Sequence, residues 1–148
     1  PVLIRDIARV ELVPDERQRM EIYKRISMLE DRAGREDIEE ELLDRFGEAP
    51  EAVNNLLDIA HLKALCRRLG IFHVSHKAFT LYMRLEEKHV PDPVKLIDAL
   101  AQTDKRLILS ASKTPALLLK DTKLTVEEML PLAVRLLEKV VALLFPQA

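Results

Sequence analysis

Six carboxylates crowd into nine positions of this chain: Glu36, Asp37, Glu39, Glu40, Glu41 and Asp44, with no basic residue among them before Arg45. On a helix, Glu41 and Asp44 stand three apart and share one side on neighbouring turns. Such a run reads two ways. It is a solvated charged face whose early members favour the positive end of the helix dipole. Or it is a docking face for a basic partner, where complementary charge sets orientation and association rate.

The other residue types that could do chemistry do not assemble. The four histidines are His61, His73, His76 and His89, and there is no His-Glu-x-x-His pair and no cysteine pair; no zinc site is expected. The histidines read as surface or packing residues. Cys66 stands beside Leu65 and Leu69 and reads as a small buried hydrophobe with no base to activate it. The three glycines, Gly34, Gly47 and Gly70, fall at helix ends or connectors, so no loop cradles a phosphate. Neither an enzyme nor a bound cofactor is expected. Lys24-Arg25 and Arg67-Arg68 are the best basic pairs. Positive charge near a helix C-terminus has the simpler task of offsetting its dipole. Without aromatic platforms, DNA binding is not expected of them.

Bulk properties agree. A chain of 148 residues suits one domain with a real core. A net charge of −2 and a pI near 6.1 argue against a dedicated nucleic-acid surface. No apolar run reaches the length of a membrane span, and no secretion leader is visible. The lone Cys66 fits a reducing cytoplasm. A start at Pro1 instead of Met is expected of a fragment or a processed product.

These residues need elements to position them. Val2 to Val13 predicts a strand, ended by Val13-Pro14-Asp15. Asp15, with Gln18, predicts a helix cap. Ile22, Tyr23, Ile26 and Leu29 form one helical stripe. Asp31 to Arg35, with Gly34, predicts a connector. A second helix is predicted from about Glu36 to Phe46, with Ile38, Leu42, Leu43 and Phe46 inward and the carboxylates outward. Gly47 stops it, Pro50 starts a third, and Gly70 stops that one. Between Pro50 and Leu69, Val53, Leu56, Leu57, Ile59, Ala60, Leu62, Ala64, Leu65 and Leu69 cover more than one side, as in a central buried helix.

After Gly70 the period changes to two. Ile71 to Val74 and Phe79 to Leu85 predict a hairpin turning at Ser75-His76-Lys77. Asp92 and Pro93 predict a helix start, with Val94, Ile97, Leu100 and Ala101 inward. Leu107-Ile108-Leu109 and Ala116 to Leu119 predict a second hairpin. Thr125 and Glu128 predict a capping box for a Leu-rich last helix, which Pro131 should kink or delay. The sum is an α+β domain: a small, mainly antiparallel sheet with a three-helix subdomain inserted after its first strand, and a central helix at about 50–69. A weak boundary near Gly70 separates a helical part (about 15–70) from a sheet-rich part (about 71–148, with strand 2–13).

One combination of motifs is more specific. Glu41-Leu42-Leu43-Asp44-Arg45-Phe46-Gly47, then Pro50, then Leu56-Leu57-Asp58-Ile59-Ala60-His61-Leu62-Lys63, resembles the C-terminal domain of bacterial transcription-repair coupling factor. Val13-Pro14-Asp15, Arg19 and Tyr23-Lys24-Arg25-Ile26 fit the same family. The likeness spans roughly the first half of the chain; the second half fits by its order of elements.

The resemblance implies a domain that is not the motor. In the family, an ATP-driven translocase of double-stranded DNA in the same chain pushes stalled RNA polymerase off a lesion. An N-terminal, UvrB-like module recruits UvrA, and the C-terminal domain packs on that module and hides its UvrA-binding surface. The acidic residues of the Glu-Leu-x-Asp-Arg-Phe motif make the contact, which carries over to Glu41 and Asp44. Asp37, Glu40 and Arg45 would extend that face, and Arg45 could instead pair with Glu41. Leu42, Leu43 and Phe46 would hold the helix in place, with Gly47 ending it and Pro50 and Gly70 bordering the central helix that follows. The runner-up is an accessory domain that touches DNA or tunes the motor.

Overall fold

The computed structural model describes residues 16–48, 51–86, 92–111 and 114–146. The predicted strand 2–13, the Asp15 cap and Pro50 lie outside them. Five helices and four strands are described: α1 (Glu16–Ser27), α2 (Arg32–Phe46), α3 (Glu51–Leu69), β1 (Ile71–Lys77), β2 (Thr80–Leu85), α4 (Pro93–Thr103), β3 (Leu107–Ser110), β4 (Ala116–Lys120) and α5 (Val126–Leu144). The fold is α+β, as predicted. It divides into two compact units, one up to Ala64 and one from Leu65 onward.

In the first unit, α2 begins four residues earlier than its sequence suggests. The predicted connector Asp31–Arg35 is a cap and a first turn. Asp31 is extended (φ −152°), and its Oδ1 accepts a 2.8 Å hydrogen bond from the Gly34 N–H. A side chain at Gly34 would put its Cβ 3.3 Å from that oxygen. Glycine costs about 1 kcal/mol inside a helix. A good N-cap returns a similar amount, so the breaker does not break. At the other end Gly47 takes φ +79°, and its N–H bonds the Leu43 carbonyl. Gly70 takes φ +77° after α3. Both are the left-handed stops expected of them.

Ile22, Ile26 and Leu29 pack with Ile38 and Leu42 of α2 and with Val53, Leu57 and Ala60 of α3. Tyr23, Phe46 and Leu56 close the margin of this core. Leu43 departs from its predicted place: it is 57% exposed. Ile38 and Leu42 are one turn apart and fix the buried side, and the next residue along is rotated away by about 100°.

This core also holds charge. Arg35, Asp58 and His61 are all buried, His61 to 1% exposure. Arg35 Nη1 lies 2.7 Å from Asp58 Oδ1 and 3.2 Å from His61 Nδ1. Arginine only donates, so His61 Nδ1 is the acceptor and the ring proton sits on Nε2.

In the second unit the strands pair in the order β1-β2-β4-β3, all antiparallel. From Leu81 to Leu85 the alternation in β2 is as read, with Leu81, Met83 and Leu85 buried, while Thr80, expected outward, is buried as well. The turn is not. β1 continues to Lys77, which pairs with Thr80, and Ala78-Phe79 makes the turn with φ of +50° and +61°. Neither residue is the Asn or Gly that such a turn favours, so no local signal marked it. Phe79 is therefore an exposed turn residue.

The second hairpin lies where expected. Arg106 ties its ends: its side chain donates to both carboxylate oxygens of Asp104 and, at 2.8 Å, to Asp121 Oδ2. Those bonds hold the Asp104 carboxyl down at about 2.

Asp92 caps α4 and Pro93 opens it, as predicted. Its buried face is Leu96, Ala99 and Leu100; Val94 and Ile97 are 77% and 54% exposed, and Ala101 is exposed too. Apolar residues ring most of this helix, so periodicity could not choose; packing on β3 and α5 does. The Thr125–Glu128 capping box is complete. The helix α5 starts at Val126, ahead of Pro131, so the proline does not delay it. Nine of its residues are buried, among them Met129, Val134, Leu137 and Val140.

Two measurements test this packing. Asp58→Ala strands a buried guanidinium and should lower stability by about 3–5 kcal/mol in urea denaturation, whereas Asp58→Leu with Arg35→Met should cost clearly less. Burial pushes the Cys66 thiol up to about 12, so it should resist a disulfide-exchange reagent at pH 8 until the chain unfolds.

Candidate interaction face

The side of α2 opposite the Ile38–Leu42 contact carries the carboxylates. Asp37, Glu40, Glu41 and Asp44 follow the i, i+3, i+4, i+7 spacing of a single helical stripe. Asp37, Glu40 and Asp44 are exposed, and Glu41 is half-buried. Because Ile38 and Leu42 are locked in the core, the stripe cannot turn away from solvent.

The structure separates these acids by their surroundings. Arg25 of α1 donates from Nη1 to Glu41 Oε2, and Arg45 Nη1 stands 4.0 Å from the same oxygen. Glu41 is thus shared by two guanidiniums. The Arg45 guanidinium also lies 5.2 Å from the Phe46 ring centroid, a cation–π distance. Arg45 is therefore tied to Glu41 and Phe46 while staying exposed. Glu39 lies 3.7 Å from the Arg35 Nε. Among the described residues Asp37, Glu40 and Asp44 have no ion pair, and all three face solvent.

Exposed Leu43 lies on this surface beside Glu40 and Asp44, and its predicted support role falls to Leu42 and Phe46. Its exposure was readable: with Ile38 and Leu42 in register one turn apart, Leu43 cannot face the same way. The Arg25–Glu41 bond joins two helices and had no sequence signal. Nor did the Arg35–Asp58–His61 cluster, because its members come from two helices distant in sequence.

Other candidates remain apart. Arg68 stacks over the Phe145 ring at 5.2 Å. No group of three His, Cys, Asp or Glu among the described residues could hold a metal ion. No described helix is long and apolar enough to cross a membrane.

The α+β fold and the sequence of this chain both match one known class of domain. Residues 10–96 match the family model of the TRCF domain, and the chain belongs to that family. Relatives named transcription-repair-coupling factor include those of Escherichia coli K12, 34% identical over 90 residues, and Haemophilus influenzae, 31% identical over 97. Those matches cover 61% and 66% of this chain but only 8% of either relative. The factor of Rickettsia bellii is 42% identical over 59 residues, 40% of this chain and 5% of its own. The fold is also similar to a crystal structure of the C-terminal domain of transcription-repair coupling factor. The TM-score is 0.80 at 24% identity, over 93% of this chain and 87% of that one.

The Arg25–Glu41 pair is exposed and should contribute little. A double-mutant cycle on Arg25→Ala and Glu41→Ala, read by thermal or urea unfolding, should give a coupling of about 0.2–1 kcal/mol. Glu41 can then be removed in binding tests without unfolding the domain.

Proposed function

We propose that this chain is a non-catalytic regulatory domain of an ATP-dependent DNA translocase in transcription-coupled nucleotide excision repair. It works in the cytoplasm as an intramolecular clamp. The acidic side of α2 packs on the UvrB-like module of the parent protein and masks its UvrA-binding surface. UvrA and RNA polymerase meet the parent through other parts of it.

The observation that carries this reading is the state of the carboxylates. Asp37, Glu40 and Asp44 project from a helix whose opposite side is anchored in the core, and none is neutralised among the described residues. Exposed Leu43, at the margin of this stripe, adds an apolar edge to a contact that is otherwise polar. Membership of the TRCF domain family supports the assignment to a repair translocase. The energy needed is modest. Holding a module closed about 99% of the time takes roughly 2.7 kcal/mol, within reach of a small interface that can still be released. The alternative, an accessory domain contacting DNA through Arg67 and Arg68, gains less support, since Arg68 is stacked on Phe145.

Calorimetric titration of this chain into the isolated UvrA-recruiting module is the test. Wild type should bind at about micromolar strength, near 8 kcal/mol, and Glu41→Ala with Asp44→Ala should weaken binding at least about tenfold. Leu43→Ser should also weaken it. Equal binding by wild type and the double variant moves the contact to another face. No binding by wild type removes the clamp.

A further inference from the structure

The pairing register of the sheet assembles a second surface. With Leu81, Met83, Leu85, Leu117 and Leu119 buried on one face, the alternate residues define the other. Three rows cross it. Lys77, Thr80 and Lys120 align in one; Ser75, Tyr82, Leu118 and Ile108 in the next; His73, Arg84, Ala116 and Ser110 in the third. Lys77, Lys120, Arg84 and His73 are exposed, Tyr82 and Leu118 are half-buried, Ile108 is 52% exposed, and only Thr80 and Ala116 of these rows are buried. None of the four strands contains Asp or Glu. Of the flanking carboxylates past the strand ends, Arg106 holds Asp104 and Asp121, and Glu86, two residues beyond Arg84, is the one acid that continues on this side. The face is an apolar strip centred on Tyr82 with cations along both borders. Along a strand those borders are four residues apart, about 13 Å.

A chain of net charge −2 thus keeps one face positive. The whole-chain balance, which argued against a nucleic-acid surface, averages over faces of opposite sign.

We propose that this open face binds a single strand of nucleic acid, with a base stacked on Tyr82 and phosphates held by Lys77, Lys120 and Arg84. Charge calls for an anionic partner, and composition distinguishes which kind. Lys and Ser are depleted at protein–protein interfaces, yet exposed Lys77 and Lys120 and half-buried Ser75 and Ser110 make up much of this surface. Polar, cationic and wet is the character of a nucleic-acid interface. An aromatic on a central strand between cationic borders is how sheet platforms hold unpaired bases.

The test is fluorescence anisotropy of the 148-residue chain with a fluorescein-labelled oligo(dT) of about twelve nucleotides. The dissociation constant should fall between about 1 and 100 µM. The log–log salt slope should be about −2, which weakens binding about 16-fold between roughly 50 and 200 mM salt. Lys77→Glu, Arg84→Glu and Lys120→Glu together should cost at least about tenfold and flatten the slope. Tyr82→Ala should cost about 5- to 100-fold, while Tyr82→Phe keeps its ring and should bind as wild type. Circular dichroism checks that each variant is folded. The proposal is overturned by no binding at low salt, by reversals that change nothing, or by a duplex that binds as tightly as the single strand. Displacement of the oligonucleotide by an equal residue concentration of poly-L-glutamate would also overturn it and assign the face to an acidic protein.

Discussion

A buried guanidinium cannot be left without a partner, and Arg35 imposes that requirement on the helical unit. Its Nη1 reaches both Asp58 and His61 of α3. Taking an arginine and an aspartate out of water costs several kcal/mol per ion unless the geometry is good. The pair is therefore a weak source of stability but a strong selector of arrangement: few rotations of α2 against α3 satisfy it. Arg35, Ile38 and Leu42 lie on one side of the helix at i, i+3 and i+7. Fixing that side fixes the opposite one, so the direction of Asp37, Glu40 and Asp44 is decided inside the core.

Much of the fold was legible because its signals are local. The Asp92–Pro93 start, the Thr125–Glu128 box, the stops at Gly47 and Gly70 and the alternation along β2 each depend on residues within one turn or one strand. One misreading was local, and the others arose where a distant contact decides. Gly34 looked like a breaker because the Asp31 cap was not credited. Ala78-Phe79 carries no turn signature and is held by the pairing on both sides. For α4, two apolar stripes competed and only the packing of its neighbours chose Leu96 over Val94 and Ile97. The acidic stripe was legible down to its spacing. Which acids are neutralised was not, since Arg25 arrives from another helix.

Charge in this molecule is sorted by element, not spread evenly. The helix α2 gathers carboxylates and offsets their repulsion with Arg25 and Arg45 against Glu41 and with Arg35 against Glu39. The strands carry no carboxylate and leave their cations outward. A net charge close to neutral conceals this, because opposite excesses cancel in the sum. Complementary fields of this kind act mainly on the rate and orientation of encounter, and salt weakens them over about 10 Å.

The Ala78-Phe79 turn has a consequence for the history of the chain. Two residues with β-carbons sit in a left-handed conformation that costs about 1–2 kcal/mol each. Asn-Gly would remove most of that cost, so the domain carries an unused margin of stability at its first hairpin. Proteins drift to a threshold of sufficiency instead of an optimum. This turn marks where that drift has been tolerated, and where an engineer or a lineage under thermal pressure would find the cheapest improvement.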